Sequence, residues 1–485
     1  MGVVTLGLGA ACAREAAAPA SRAATAATVV APRAPAEPLS EPSWVRDIET
    51  EVATLRGRPF LRPVPYKKET REDFRVYVRG EISRDFGPGK AATLSRAWAA
   101  LGLVPAGFDV PGAMEEALVT EVAAYYDTRR RDFRVLEDPD GAKAAPAPGD
   151  EVGDRVVVAH ELTHALQDQH FGLEVFQGEH PVDLGLDDDQ KLARQCVVEG
   201  EATFVMLAHM LASGHGAAIN LGPFAVASLR MMVAALGGAD MIDLLGLARQ
   251  GTEALDKETR HELEVMARLP PWVTLPLIEP YFKGAELVSE VWGRGAWPAV
   301  DRLYRRPPRS TEQVLHPDKL LDATDPPVGI RLLASPPPLP VGPGTRLLET
   351  NVLGELGWRS YFKTWKLAAG DAAAAGWGGD RYWVWEREGR TVAAIATTWD
   401  TEADADEFAS AYEQTLASRF PRAVAVPDAA APSAVTIKAP AGRAIVVARV
   451  GRDVDVIDGA REGELVSLRL ALRAAERRPE TEGGP

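Results

Sequence analysis

Residues 156–173, VVVAHELTHALQDQHFGL, constrain this chain more than any other stretch. Their apolar positions recur at helical spacing, and on an α-helix residues four apart share one face, about one turn apart. His160 and His164 form such a pair, so both imidazoles can aim a nitrogen at one tetrahedral ion. Glu161 is turned away by one residue, which lets it reach a water bound to that ion rather than the ion itself. Ligand, base, two spacers, ligand is the order that metal-assisted hydrolysis needs. The bland alternative is two solvated or core histidines on an ordinary helix.

Two histidines do not hold a catalytic zinc. A third protein ligand is needed, with the fourth position left open. Cysteine does not supply it: the chain has only Cys12 and Cys196, and Cys196 reads as a small core residue. Downstream, Val197-Val198-Glu199-Gly200-Glu201-Ala202 lies on a predicted helix, with 34 residues between His164 and Glu199. Two antiparallel helices joined by a long loop would bring Glu199 to the metal. Glu201, two residues on and rotated to another face, is the rival ligand. One zinc ion is the cofactor implied.

In these residues the chain resembles zincin metallopeptidases of the gluzincin type. His160 to Ala165 (HELTHA), followed by Asp168, resembles the active-site helix of thermolysin-like enzymes. Glu199-Gly200-Glu201-Ala202 resembles the Glu-Gly-x-Ala segment of aminopeptidase gluzincins. The resemblance implies His160, His164 and Glu199 as zinc ligands, Glu161 as general base, and a peptide or protein substrate. The inter-helix spacing is longer than in either group, and Thr203 stands where thermolysin-like enzymes carry an aspartate. Asp168 is open to two readings, a residue supporting the ligands from behind or a solvated helix charge. Zincins hold substrate along a strand edge ahead of the metal helix, for which residues 133–137 are the candidate. They also need a donor for the oxyanion. Tyr281, in Tyr281-Phe282-Lys283-Gly284-Ala285, resembles part of a Tyr-x-Lys-Gly-Ala segment of aminopeptidase gluzincins, and His316 is the other candidate. Each also reads structurally, as a packed tyrosine and a turn-capping histidine.

Composition frames these motifs. With 46% hydrophobic and 25% charged residues the chain can bury a core, and 54 basic against 69 acidic residues, a net charge of -15, argue against a nucleic-acid partner. Residues 3–11 run as a short apolar stretch into Cys12, which resembles the end of a bacterial lipoprotein signal with Cys12 lipidated. A disordered Ala-rich leader is the alternative. Residues 13–43, rich in Ala, Pro, Ser and Thr, read as a tether, so the expected placement is extracytoplasmic, held to the bacterial envelope by that anchor alone. Residues 217–236 are interrupted by Asn220, Pro223 and Arg230 and read as a buried helix rather than a membrane span.

The expected fold is α+β: a mostly helical, zincin-like body over residues 44–335, with a small β-hairpin at 122–127 and 133–137, and a smaller α+β domain over 344–480. The proline-rich stretch 336–343 is the expected boundary. Beyond it, helix is expected over 355–375 and 404–417, strands at 382–387, 391–397 and within 434–457, and a last helix reaching 478. Residues 376–381 read as a loop in which Asp380 and Arg381 pair. A zinc-bound envelope scaffold without turnover is the competing function, and the intact Glu161 speaks against it.

Overall fold

The computed structural model describes residues 43–86, 89–137, 151–179, 184–213, 223–237, 264–322, 325–333, 344–427, 434–439 and 443–480. Cys12, the tether up to residue 42 and the proline-rich boundary stretch lie outside them. The fold is α+β. Its first part holds α1 (Ser43–Arg56), β1 (Tyr66–Thr70), α2 (Arg71–Phe86), α3 (Lys90–Leu101), α4 (Val110–Glu121), β2 (Ala124–Asp127) and β3 (Asp132–Glu137). The long helices follow: α5 (Glu151–Phe171), a short α6 (Leu173–Gln177), α7 (Asp188–Ser213), α8 (Pro223–Gly237) and α9 (Pro271–Leu303).

The expected hairpin is present, but it is part of a three-stranded sheet in the order β1-β3-β2. β1 pairs parallel to β3, from Tyr66 opposite Phe133 to Thr70 opposite Glu137. Its sequence, Tyr-Lys-Lys-Glu-Thr, buries only Tyr66, so it carries almost none of the apolar alternation by which a strand is recognised. The consequence corrects the expected substrate strand. β3 is central and paired on both sides, and β2 is the edge that faces α5.

α5 sits in the middle of this half. On one side Val158, Ala159, Leu162, Ala165 and Leu166 pack against Val45, Ile48 and Val52 of α1 and against Tyr66, Tyr126 and Phe133 of the sheet. Its other neighbour is α7. α7 in turn crosses α9 at two glycines. A Cβ on Gly200 would lie 2.1 Å from the carbonyl carbon of Gly284, and one on Gly284 would lie 2.0 Å from the carbonyl oxygen of Cys196. Only glycine lets two helix backbones meet this closely.

After α9 come α10 (Thr311–Leu315), α11 (Pro317–Leu321) and β4 (Val328–Arg331). The remainder is β5 (Arg346–Asn351), α12 (Gly354–Thr364), α13 (Gly370–Ala374), β6 (Trp377–Arg387), β7 (Arg390–Trp399), α14 (Glu402–Arg419), β8 (Val424–Pro427), β9 (Ala434–Ala439), β10 (Arg443–Val450), β11 (Asp453–Ala460), α15 (Glu462–Arg473) and β12 (Glu476–Pro479). A seven-stranded antiparallel sheet runs β5-β6-β7-β11-β10-β9-β8. Its residues alternate between faces as strand geometry requires. Tyr382, Val384, Ala393, Ile395, Val454 and Val456 join one core, while Trp383, Trp385, Val392, Ala394 and Ile457 join Leu468 and Leu472 of α15 in another.

The first of these cores crosses the proline-rich stretch without a break, since Phe74, Trp98, Leu101 and Met114 of α2, α3 and α4 belong to it. β4 also pairs antiparallel with β12, tying the segment before that stretch to the end of the chain. Three local expectations need correcting. The helix expected over 355–375 is two, α12 and α13, separated by Lys366 at φ 55. The last helix ends at Arg473 and is followed by β12. Residues 377–381 already belong to β6. Asp380 does not pair with Arg381 there; it accepts from the backbone N–H groups of Leu353 and Gly354 (2.8 and 3.0 Å) and from the Trp358 and Trp377 indoles (3.1 and 2.8 Å).

Candidate active site

Of the two helices that carry the candidate ligands, α7 has a well-defined start. Asp187 caps α7: its carboxylate accepts from the Gln190 N–H at 2.9 Å, and the Gln190 side chain accepts from the Asp187 N–H at 3.2 Å. The acidic run Asp187-Asp188-Asp189 thus forms the cap and the start of the first turn of α7. Asp188 donates its N–H to Asn351 at 2.9 Å, and Asp189 accepts from Thr311. α7 is thereby moored to the later half of the chain.

Halfway along, α5 and α7 bring His160, His164 and Glu199 together, all buried. The His160 and His164 Nε2 atoms are 3.0 Å apart, and Glu199 Oε2 lies 3.3 Å from the first and 3.5 Å from the second. Two zinc–donor bonds of roughly 2.05 Å at a tetrahedral angle put donor atoms roughly 3.3 Å apart. The donor set, two imidazoles and a carboxylate, is also one that zinc takes in catalytic sites. The trio therefore fits the ion in chemistry and in size.

Burial and mutual charge shift the titration of all four acidic and basic groups here. Desolvation pulls His160 down to about 4. Burial also disfavours a charged His164, but Glu199 beside it outweighs this and raises it. Burial disfavours ionised Glu199 as well, yet the two histidines hold it down at about 2. For Glu161 desolvation outweighs the attraction of His164 and pushes it up to about 8. One oxygen of Glu161 accepts the Tyr126 backbone N–H at 2.9 Å, and the other, also buried, has no hydrogen-bond partner among the described residues. Tyr126 lies on β2, so the edge strand holds the carboxylate from outside the helix.

The other sequence candidates separate. Glu201 points away from the histidines: it is ion-paired with Arg56 and accepts from the Tyr304 hydroxyl at 2.6 Å. Asp168 accepts from the Tyr126 hydroxyl at 2.9 Å and meets Arg62 at 3.4 Å, touching neither histidine but anchoring the strand that contacts Glu161. Tyr281 stacks on His160 with ring centroids 5.6 Å apart. His316 pairs with Glu355 at 3.0 Å and makes no contact with the trio. A residue not singled out from sequence also touches the site: Gln167 Oε1 lies 2.7 Å from His164 Nδ1, and its Nε2 donates to the Val198 carbonyl at 2.9 Å. The available signal was a polar residue three positions beyond a ligand, hence on its face of the helix.

Among the described residues a second acidic group, Glu312, Asp325 and Asp400, also comes together. Lys319 already sits within it, 2.5 to 3.0 Å from all three carboxylates. That ammonium serves as the cation.

Comparison with known proteins adds one match. A family described as a domain of unknown function (DUF8575) matches residues 345–469, the seven-stranded sheet with its helices and none of the trio. No curated protein and no solved structure matches the chain.

Proposed function

We propose that this chain is a zinc-dependent hydrolase acting on peptide bonds, with His160, His164 and Glu199 as ligands and Glu161 as general base. The observation that carries the proposal is the buried triangle of three donors at 3.0, 3.3 and 3.5 Å, with a carboxylate beside it. Zinc in such a site supplies a Lewis acid and lowers the pKa of a water to near neutrality.

The chain's own groups supply the rest. The Tyr126 N–H holds one Glu161 oxygen, so the unpartnered oxygen is the one that takes the proton from the attacking water. The carboxyl then delivers that proton to the leaving amine. Residues 124 and 126 of β2 have backbone groups facing away from β3, because hydrogen-bonded pairs alternate in an antiparallel ladder and Tyr126 donates outward to Glu161. An extended substrate would line up on this edge. Tyr281, stacked on His160, is the candidate oxyanion donor.

The proposed location is extracytoplasmic, with Cys12 as lipid attachment. Among the described residues no helix is long and apolar enough to cross a membrane. The deciding experiment measures zinc content and cleavage of a peptide library for the purified chain and for Glu161→Gln. One zinc per chain in both, with cleavage only in the wild type, is expected. No stoichiometric zinc in the wild type would sink the proposal, and zinc without Glu161-dependent cleavage would leave a zinc-bound scaffold.

A further inference from the structure

Gln167 is 1% exposed, and a buried primary amide has to place both a donor and an acceptor end. One end faces the Val198 carbonyl at 2.9 Å and the other faces His164 Nδ1 at 2.7 Å. A carbonyl can only accept, so the amide nitrogen must be the end at Val198. The amide oxygen therefore faces His164 and can only accept. It follows that Nδ1 carries a proton, and that the nitrogen available as a ligand is Nε2, the one directed at His160 and Glu199.

We infer that Gln167 is a positioning residue for the ligand set: one amide keeps the proton of His164 on Nδ1, freeing Nε2 for metal, and ties that ligand to the backbone next to Glu199. The inference rests on the zinc reading of the trio. An amide is suited to the place because it does both tasks at once. Glutamate would still accept from Nδ1–H but would set an acceptor against the Val198 carbonyl. Leucine would fill the space and do neither. Metal-binding histidines are commonly oriented through their second nitrogen, and here the partner also bridges to the helix of the third ligand.

The test uses the full chain with Gln167→Leu and Gln167→Glu. Zinc affinity is measured by competition with a chromophoric chelator. Separately, nitrogen-proton correlation spectra are recorded on metal-free protein labelled only at histidine, with the His164 signal assigned from His164→Gln. A buried Nδ1–H held by an acceptor gives a downfield, slowly exchanging resonance. Gln167→Leu is expected to weaken zinc binding roughly 10- to 100-fold and to lose that resonance. Gln167→Glu is expected to keep the resonance and recover most of the affinity. Unchanged zinc affinity in the leucine variant, or persistence of its resonance, overturns the inference. If the leucine variant does not fold, loss of the resonance in the glutamate variant overturns it instead. Failure of the wild type to bind zinc would remove the hydrolase reading, and the metal-free resonance then decides on Gln167 by itself.

Discussion

Gly200→Ala tests whether the crossing of α7 and α9 sets the geometry of the ligands. The added Cβ would fall 2.1, 2.3 and 2.5 Å from the carbonyl carbon, the carbonyl oxygen and the Cα of Gly284. Non-bonded carbons prefer about 3.5 Å, so the first contact is short by about 1.4 Å. All three atoms are backbone, so no side-chain rotation relieves the overlap and the helices have to part. Glu199 is the adjacent residue, and its carboxylate sits within 3.5 Å of both histidines. A displacement of about 1 Å takes the donor outside the roughly 0.2 Å tolerance of a zinc–ligand distance. Overpacking of this kind costs about 1–3 kcal/mol in stability, and a misplacement of about 1 Å can cost about a hundredfold in turnover. The assay pairs thermal unfolding of metal-free protein with zinc affinity. Gly80→Ala on α2, where nothing lies within 4 Å of the new Cβ, serves as the control and should leave both unchanged or slightly raise stability. Wild-type zinc affinity and unchanged stability in Gly200→Ala would refute the role of the crossing.

Other substitutions separate the remaining roles. Glu199→Ala should abolish stoichiometric zinc, whereas Glu201→Ala should retain it and lose about 1–3 kcal/mol, because the Arg56 Nε–H and the Tyr304 hydroxyl lose their acceptor while Asp301 still pairs with Arg56; metal analysis and denaturant unfolding of the pair read both effects. Asp380→Ala leaves two backbone and two indole N–H groups without their acceptor and should cost about 3 kcal/mol or more, seen as a lower denaturation midpoint. Zinc at about a hundredfold over its Kd should add about 2.7 kcal/mol to the native state, so a melting temperature indifferent to zinc and chelator would contradict the site. Burial pushes Asp188 up to about 8. Above the ordinary carboxylate range the unfolded chain gives up this proton while the native chain keeps it, so native stability falls as pH rises toward 8. Asp188→Asn removes that loss, and its stability relative to wild type should climb over the same interval and level off beyond it.

What was legible in the sequence follows from which features are local. His160, Glu161 and His164 lie on one helix, so their spacing alone fixes their faces. Glu199 was within reach because a helix also fixes its face, but separating it from Glu201 needed the partners. Arg56 on α1 and Tyr304 after α9 take Glu201, and neither is near it in the chain. Residues 133–137 turn out not to be a sheet edge for a similar reason. A charged strand, residues 66–70, pairs in parallel with β3 across a long connection, and its single buried residue leaves no alternation to read. The two glycine-containing segments, at 199–202 and 281–285, were each visible. That they touch, glycine against glycine, is a tertiary fact.

The difference between a hydrolase and a zinc scaffold turns on Glu161. A structural ion needs ligands, and Glu161 is not one of the trio. Yet its carboxyl is fully buried, with one oxygen bonded to the Tyr126 N–H and the other unpartnered. An unsatisfied buried polar atom costs about 1–3 kcal/mol, and an apolar side chain of similar volume would avoid that cost. Asp168 and the Tyr126 hydroxyl further fix the strand that contacts this carboxyl. The fold thus bears a cost to hold an acid-base group beside the donors, with one oxygen left over. Proton transfer gives that oxygen a use, and a purely structural site does not. Glu161→Leu should abolish cleavage; it removes the unpartnered oxygen but strands the Tyr126 N–H, two effects of opposite sign and each about 1–3 kcal/mol, so metal-free stability should change by about 2 kcal/mol or less, and a larger loss would count against the assignment of the free oxygen to catalysis.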